Sequence, residues 1–166
     1  MQKGYPRIFY GDTVTNKSKM IVPITKENVK DCVAAYIKAY NCPPWNYHWT
    51  YDNASEYLLE YMSSGQFAGF ALYEENTVVA AVFAHSKTWW TNKQLMIDEF
   101  FVSREKQRLG YGRQMLAHCD KYASSNQITS VVLMTNKHMP SYQFYDKLGY
   151  TTAEQYVFMF KQLSDE

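Results

Sequence analysis

The sequence predicts a mixed α/β domain, and three observations predict it. Residues 95–102 form an apolar and aromatic run of buried-strand length, which gives way to a short polar turn, then Gln107-Arg108-Leu109-Gly110-Tyr111-Gly112, then a helical pattern. Two β-rich runs, 67–73 and 77–84, flank Glu74-Glu75-Asn76, the composition of a hairpin turn. Residues 27–40 carry Val29, Cys32, Val33, Tyr36 and Tyr40 at helical spacing, which buries one face.

The remaining elements follow in order. Residues 1–19 read as a polar arm with no assigned role, and 20–24 alternates as a first strand. Cys42-Pro43-Pro44 stops the first helix, because proline offers no amide and restricts the residue before it. An aromatic loop, Trp45-Asn46-Tyr47-His48-Trp49, leads to a second helix over 54–63. Asn53 with Glu56 reads as its capping pair, and Leu58, Leu59 and Met62 face inward. A second aromatic loop is expected over 87–93, carrying Trp89 and Trp90. After the central strand, Met115, Leu116, Cys119, Tyr122 and Ala123 share one helix face, which Ser124-Ser125-Asn126 ends. A strand over 130–135, a helix opened by Pro140 and capped near Gly149, and a last strand over 156–161 complete one domain spanning 1–166.

Composition narrows the function classes. A net charge of +1 gives no field to draw the chain to nucleic acid or anionic lipid. The three cysteines, Cys32, Cys42 and Cys119, have no CxxC spacing and suit a reducing compartment. The N-terminus lacks an apolar targeting core, and no run approaches the ~18 apolar residues of a membrane span. A soluble cytoplasmic protein is expected, with no membrane or nucleic-acid partner. His48, His85 and His118 stand apart, so no metal site is expected.

The loop after the central strand is built for an anion. Its glycines let the backbone turn and approach a ligand, and the first-turn amides of the following helix lack intrahelical partners. Arg104, Lys106, Arg108 and Arg113 crowd the same place, so a phosphorylated cofactor is expected. The spacing is neither that of a triphosphate-binding loop nor that of a dinucleotide fold. It fits Q/R-x-x-G-x-G/A, and Pro140-Ser141-Tyr142-Gln143-Phe144-Tyr145-Asp146-Lys147-Leu148-Gly149-Tyr150 looks like an FYxKLGF signature at the expected distance beyond a further strand. In these two motifs the chain resembles the GNAT superfamily of acetyl-CoA-dependent N-acetyltransferases, over roughly residues 20–161.

The resemblance implies a central mixed β-sheet flanked by helices, with a splayed parallel strand pair that binds acyl-CoA. By the same resemblance, Phe101 and Val102 touch pantetheine through their main chain, Gln107, Arg108, Leu109, Gly110, Tyr111, Gly112 and Arg113 hold the pyrophosphate of acetyl-CoA, and strand amides form an oxyanion hole. Tyr145 is the expected acid for the departing sulfur. Asp98 is favoured as base or as anchor for a cationic amine. Neighbours on a strand face opposite ways, so Glu99 is the reserve unless a bulge changes the facing. Trp45, Tyr47, Trp49, Trp89 and Trp90 border the acceptor site, either stacking on the acceptor or packing the loops. Asp52, Glu56 and Glu60 make an acidic helix stripe, which reads as a solvated face or as an attraction for a polyamine. His138 stands where the family commonly has asparagine.

The expected activity is direct transfer of acetyl from acetyl-CoA to the primary amine of a small molecule, without a covalent enzyme intermediate, and the resemblance extends to aminoglycoside-type acetyltransferases. A peptide or protein amine is the alternative acceptor, and a non-catalytic acyl-CoA sensor is the rival from another class. A homodimer is expected only from the resemblance.

Overall fold

A computed structural model describes residues 19–63 and 65–163. Its centre is a five-stranded mixed sheet in the order β1-β2-β3-β4-β5, made of β1 (Lys19–Pro23), β2 (Phe67–Glu74), β3 (Thr77–Trp89), β4 (Asn92–Val102) and β5 (Ser130–Leu133). The first four strands are antiparallel neighbours, and β5 runs parallel to β4. A parallel neighbour needs a crossover. Helix α3 (Tyr111–Ser125) supplies it.

Strand alternation divides the apolar residues between two cores. On one face α1 (Val29–Tyr40) and α2 (Tyr51–Met62) cover Ala71, Ala81, Phe83 and Phe101. On the other, α3 covers Leu72, Val82, Leu95 and Ile97 with Met115, Leu116 and Cys119, and α4 (Pro140–Asp146) packs Phe144 and Tyr145 beside them. Both faces of β2–β4 are covered, which is why these strands read as near-continuous apolar runs.

Several boundaries differ from expectation. Lys19 is already in β1, while the rest of the expected arm lies outside the described residues. Helix α2 starts earlier than 54, because Thr50 rather than Asn53 is its cap: the Thr50 hydroxyl accepts from the Asn53 amide at 3.2 Å. That start turns Ala54 and Leu58 inward and leaves Leu59 47% exposed. The second aromatic loop is instead a hairpin, since β3 runs through Trp89, β4 resumes at Asn92, and only Trp90 and Thr91 turn. The expected final strand does not form: residues 156–161 join no ladder among the described residues and are exposed.

Two adjacent leucines test this facing. Leu58→Ala, at a fully buried position, should destabilise the protein by about 2–5 kcal/mol in chemical denaturation. Leu59→Ala should change stability by less than about 0.5 kcal/mol; equal effects would mean that α2 is turned differently.

Candidate active site

The site begins at a break in the ladder between β3 and β4. Phe83 pairs with Glu99 and Ala84 with Ile97, so Asp98 is the extra residue of a β-bulge. A bulge lets consecutive side chains share a face. Asp98 and Glu99 therefore both line one chamber of about 570 Å³ between β4, α1, α2 and the aromatic loop.

Their surroundings differ. Asp98 is held by His85 across the strand pair, Oδ2 to Nδ1 at 2.6 Å, and lies near the surface side. Glu99 lies deeper. The Tyr40 hydroxyl donates to its Oε1 at 2.5 Å, the Phe100 amide to the same oxygen at 3.0 Å, and the Tyr57 hydroxyl to Oε2 at 3.0 Å. Tyr61 in turn donates to Tyr57 at 2.7 Å, making a chain of hydroxyls from the carboxylate towards the surface. Burial raises the Glu99 carboxyl above its ordinary value, the Tyr40, Tyr57 and Phe100 hydrogen bonds oppose that rise, and the Asp98 charge adds to it. Of the β4 strand amides, among which an oxyanion hole was expected, that of Phe100 is engaged by this carboxylate.

Aromatic rings wall the chamber. Tyr40 stacks on Tyr47 with centroids 6.1 Å apart and meets Trp45 edge-on at 5.6 Å, while Trp49 packs on Tyr57 at 5.0 Å. Trp45, Tyr47 and Trp49 thus face the carboxylates together. Trp89 and Trp90 line neither this chamber nor the second one, and sit at the β3–β4 turn. Asp52, Glu56 and Glu60 point to solvent.

A second chamber of about 560 Å³ opens where β4 and β5 part company. Their ladder ends at Ile97 and Leu133, so among the described residues the rest of β4 has no strand on that side. Phe101, Val102, Gln107, Arg108, Gly110, Gly112 and Arg113 line the chamber, together with Lys147. Val102 accepts from the Gln107 side chain at 3.1 Å, which holds the loop against the strand. Gly110 caps α3 at φ 87°, a left-handed conformation natural to glycine. The first intrahelical bond is Gln114 N to Gly110 O, leaving the preceding amides for a ligand. These amides and the cations Arg108, Arg113 and Lys147 fit a pyrophosphate. Gly112 is needed for packing as well: a Cβ there would lie 2.9 Å from the Phe144 ring.

Two residues of the expected loop face elsewhere. Leu109 is exposed, and Tyr111 is buried with its hydroxyl on Glu74 at 2.6 Å. Lys106 also binds Glu74, so this loop cation is engaged by a carboxylate.

The chambers meet at Tyr145, which borders both with Tyr40, Trp45, Phe100 and Ser141. Burial pushes the Tyr145 phenol up, with Tyr150 and Glu99 adding to the effect, so it stays protonated. The family model described as Acetyltransferase (GNAT) family matches residues 16–150. The chain belongs to the GNAT acetyltransferase family. It is accordingly an acyltransferase, of a family that uses acetyl-CoA.

No curated protein matches the chain. Solved structures share the GNAT fold at low identity. An integron cassette protein from V. cholerae aligns at TM-score 0.71 and 17% identity, covering 87% of this chain and 93% of that one. Aminoglycoside N-acetyltransferase AAC(6')-Iy in complex with CoA aligns at TM-score 0.70 and 14% identity, covering 89% and 97%. An aminoglycoside 6'-N-acetyltransferase, AAC(6')-IG, from Acinetobacter haemolyticus aligns at TM-score 0.68 and 13% identity, covering 87% and 99%.

The sequence reading of this GNAT chain missed Tyr57 and Tyr61 and took Tyr40 only as core. The available signal was a pair of tyrosines four residues apart on each helix, Tyr36/Tyr40 and Tyr57/Tyr61, which places their rings on one face. It also missed Asn136, which lines the first chamber and whose side chain accepts from the His138 amide at 2.9 Å.

The Glu99 environment makes a prediction about stability. A carboxyl whose pKa is raised on folding contributes fully below its unfolded value, and that contribution is lost as pH rises through the folded value. Relative to wild type, Glu99→Gln should therefore gain stability as pH increases from the ordinary value of 4.5 upward. Urea unfolding of both proteins across that range checks it, and a constant difference would contradict the burial of this charge.

Proposed function

We propose that this GNAT protein moves an acetyl group from acetyl-CoA directly to the primary amine of a small molecule, as one domain spanning 1–166 and acting in the cytoplasm as a homodimer. The observation that carries the reading is the meeting of two chambers at Tyr145: one loop-built and cationic, the other walled by aromatic rings around a buried carboxylate. Aminoglycosides are the first acceptor class to test, because a cationic amine suits rings that present their faces beside a carboxylate.

Bound acetyl-CoA supplies an acetyl thioester as electrophile. Arg108, Arg113 and the first-turn amides of α3 hold its pyrophosphate, and the exposed side of β4 at Phe101 and Val102 receives the arm. Glu99 is the base. Its carboxylate attracts the ammonium form of the acceptor and takes the proton that the amine must lose before attack. The Tyr57 and Tyr61 hydroxyls then pass that proton outward by successive hops. Asp98, the base favoured from the family resemblance, is engaged by His85 and orients the acceptor. As the amine nitrogen bonds to the acetyl carbon and the carbon–sulfur bond breaks, Tyr145 gives its phenolic proton to the departing sulfur and is restored by the second proton that the nitrogen sheds in becoming an amide; since a phenol of pKa near ~10 is a weaker acid than a thiol near ~8.5, the transfer must be local and concerted.

Free-thiol release from acetyl-CoA, measured against aminoglycosides, polyamines, amino acids and short peptides, tests the reading. Turnover is expected with polycationic small molecules. Turnover confined to peptides would replace the acceptor class, and binding of acetyl-CoA without turnover on any amine would make the protein a sensor.

Tyr145→Phe should lower turnover by ~10²-fold or more while acetyl-CoA affinity stays nearly unchanged. Glu99→Gln should lower turnover more than Asp98→Asn; the reverse order would transfer the base assignment to Asp98.

A further inference from the structure

Glu74 ends β2, and only 6% of it is exposed. A carboxylate at that depth is unfavourable unless donors meet it. The Lys106 ammonium binds its Oε2, and the Tyr111 hydroxyl donates to its Oε1 at 2.6 Å. Lys19, the residue opposite Glu74 in the β1–β2 ladder, lays its ammonium over the Tyr111 ring, 4.3 Å from the centroid. The carboxylate is thus neutralised beside a loop that faces an anion.

The two donors have a particular place in the chain. Lys106 ends the short 3-10 turn Arg104–Lys106, and Tyr111 begins α3, so what lies between them is Gln107, Arg108, Leu109 and Gly110. One carboxylate therefore grips the loop at both ends. Glu74, Lys106 and Tyr111 do not line the second chamber themselves, whereas Gln107, Arg108 and Gly110 do. Anything the three contribute to a ligand passes through the loop.

That loop has to be held. Arg108 stands at φ 61° and Gly110 at φ 87°, both in the left-handed region. Glycine adopts it freely, but the Cβ of Arg108 crowds its own carbonyl oxygen there, so the surroundings must impose the conformation. Released, Arg108 would relax to a right-handed or extended conformation and carry its guanidinium and amide off the chamber wall. At the other end, Tyr111 fixes the first turn of α3, whose amides are the ones left for a ligand.

We propose that Glu74 is a positioning residue for the acyl donor: by bridging Lys106 and Tyr111 it holds residues 107–110 in the shape that receives the pyrophosphate. The proposal deepens the acetyl-CoA reading of the second chamber and rests on it. It also changes the part played by Lys106. Its charge neutralises Glu74, which would otherwise repel a phosphate, and Arg108, Arg113 and Lys147 remain as cations of the chamber. Holding of this kind acts on affinity, because a loop ordered beforehand need not be ordered by the ligand.

Acetyl-CoA and S-acetylpantetheine separate this role from a merely structural one, since the second carries the same thioester arm without the pyrophosphate. Binding to the full chain is measured by isothermal calorimetry for the first and by NMR titration for the second, with wild type, Glu74→Gln and Tyr111→Phe. Glu74→Gln should weaken acetyl-CoA by about 10-fold or more and Tyr111→Phe by about 3-fold, while each changes S-acetylpantetheine by less than about 2-fold. Tyr111→Phe removes one hydroxyl and keeps the ring, so it carries the comparison should Glu74→Gln fail to fold. Acetyl-CoA affinity left unchanged by Tyr111→Phe, or an equal loss for both donors in either variant, would overturn the two-ended grip while leaving the donor standing. Wild type that failed to bind acetyl-CoA would overturn the donor, and the role of Glu74 with it.

Discussion

Past Ile97, β4 loses its parallel partner, and the site depends on that parting. A strand inside a sheet has its peptide groups paired on both sides and nothing to offer a ligand. Here the ladder to β5 stops after four residue pairs, and β4 continues to Val102 with one side open. The loop at Gln107 and the start of α3 then follow directly, so the glycine turn and its cations come to rest beside the opening. At the same point the bulge at Asp98 turns a second carboxylate toward α1 and α2. One interruption therefore makes room for two chambers and brings two carboxylates to the wall of one of them.

The environment of Glu99 has a cost that the packing offsets. A buried carboxylate without partners is unfavourable, and three donors converge on this one. Tyr40 and Tyr57 bring those donors from different helices. The α1–α2 pair is thus fixed to β4 by polar bonds as well as by the apolar cluster around Tyr36 and Phe101. The same arrangement keeps the carboxyl poised: burial raises its proton affinity while the hydroxyls preserve its ionised form. Neither buried cysteine competes for acyl chemistry, since burial pushes the Cys32 and Cys119 thiols up to about 12.

The fold class was legible because periodicity reports burial directly. The central strand, the loop and α3 stand out in residues 95–116, and the motif around Tyr145 marks α4. The bulge was not legible as a position: it depends on how Phe83 and Ala84 of a distant strand register against β4, and a one-residue slip reverses the facing of every side chain beyond it. Trp89 and Trp90 resembled the Trp45 loop in composition, yet a two-residue turn carried them to the far end of a hairpin. Residues 156–161 had the composition of a strand and were read as one. What composition could not say is that, among the described residues, no strand pairs with the segment.

The central claim is that acetyl passes straight from acetyl-CoA to the amine while both chambers are filled. Initial rates measured with acetyl-CoA and the acceptor varied together test it most directly. Double-reciprocal lines that intersect, as for a ternary complex, are the predicted result. Parallel lines, the pattern of an acetylated enzyme, would contradict the account.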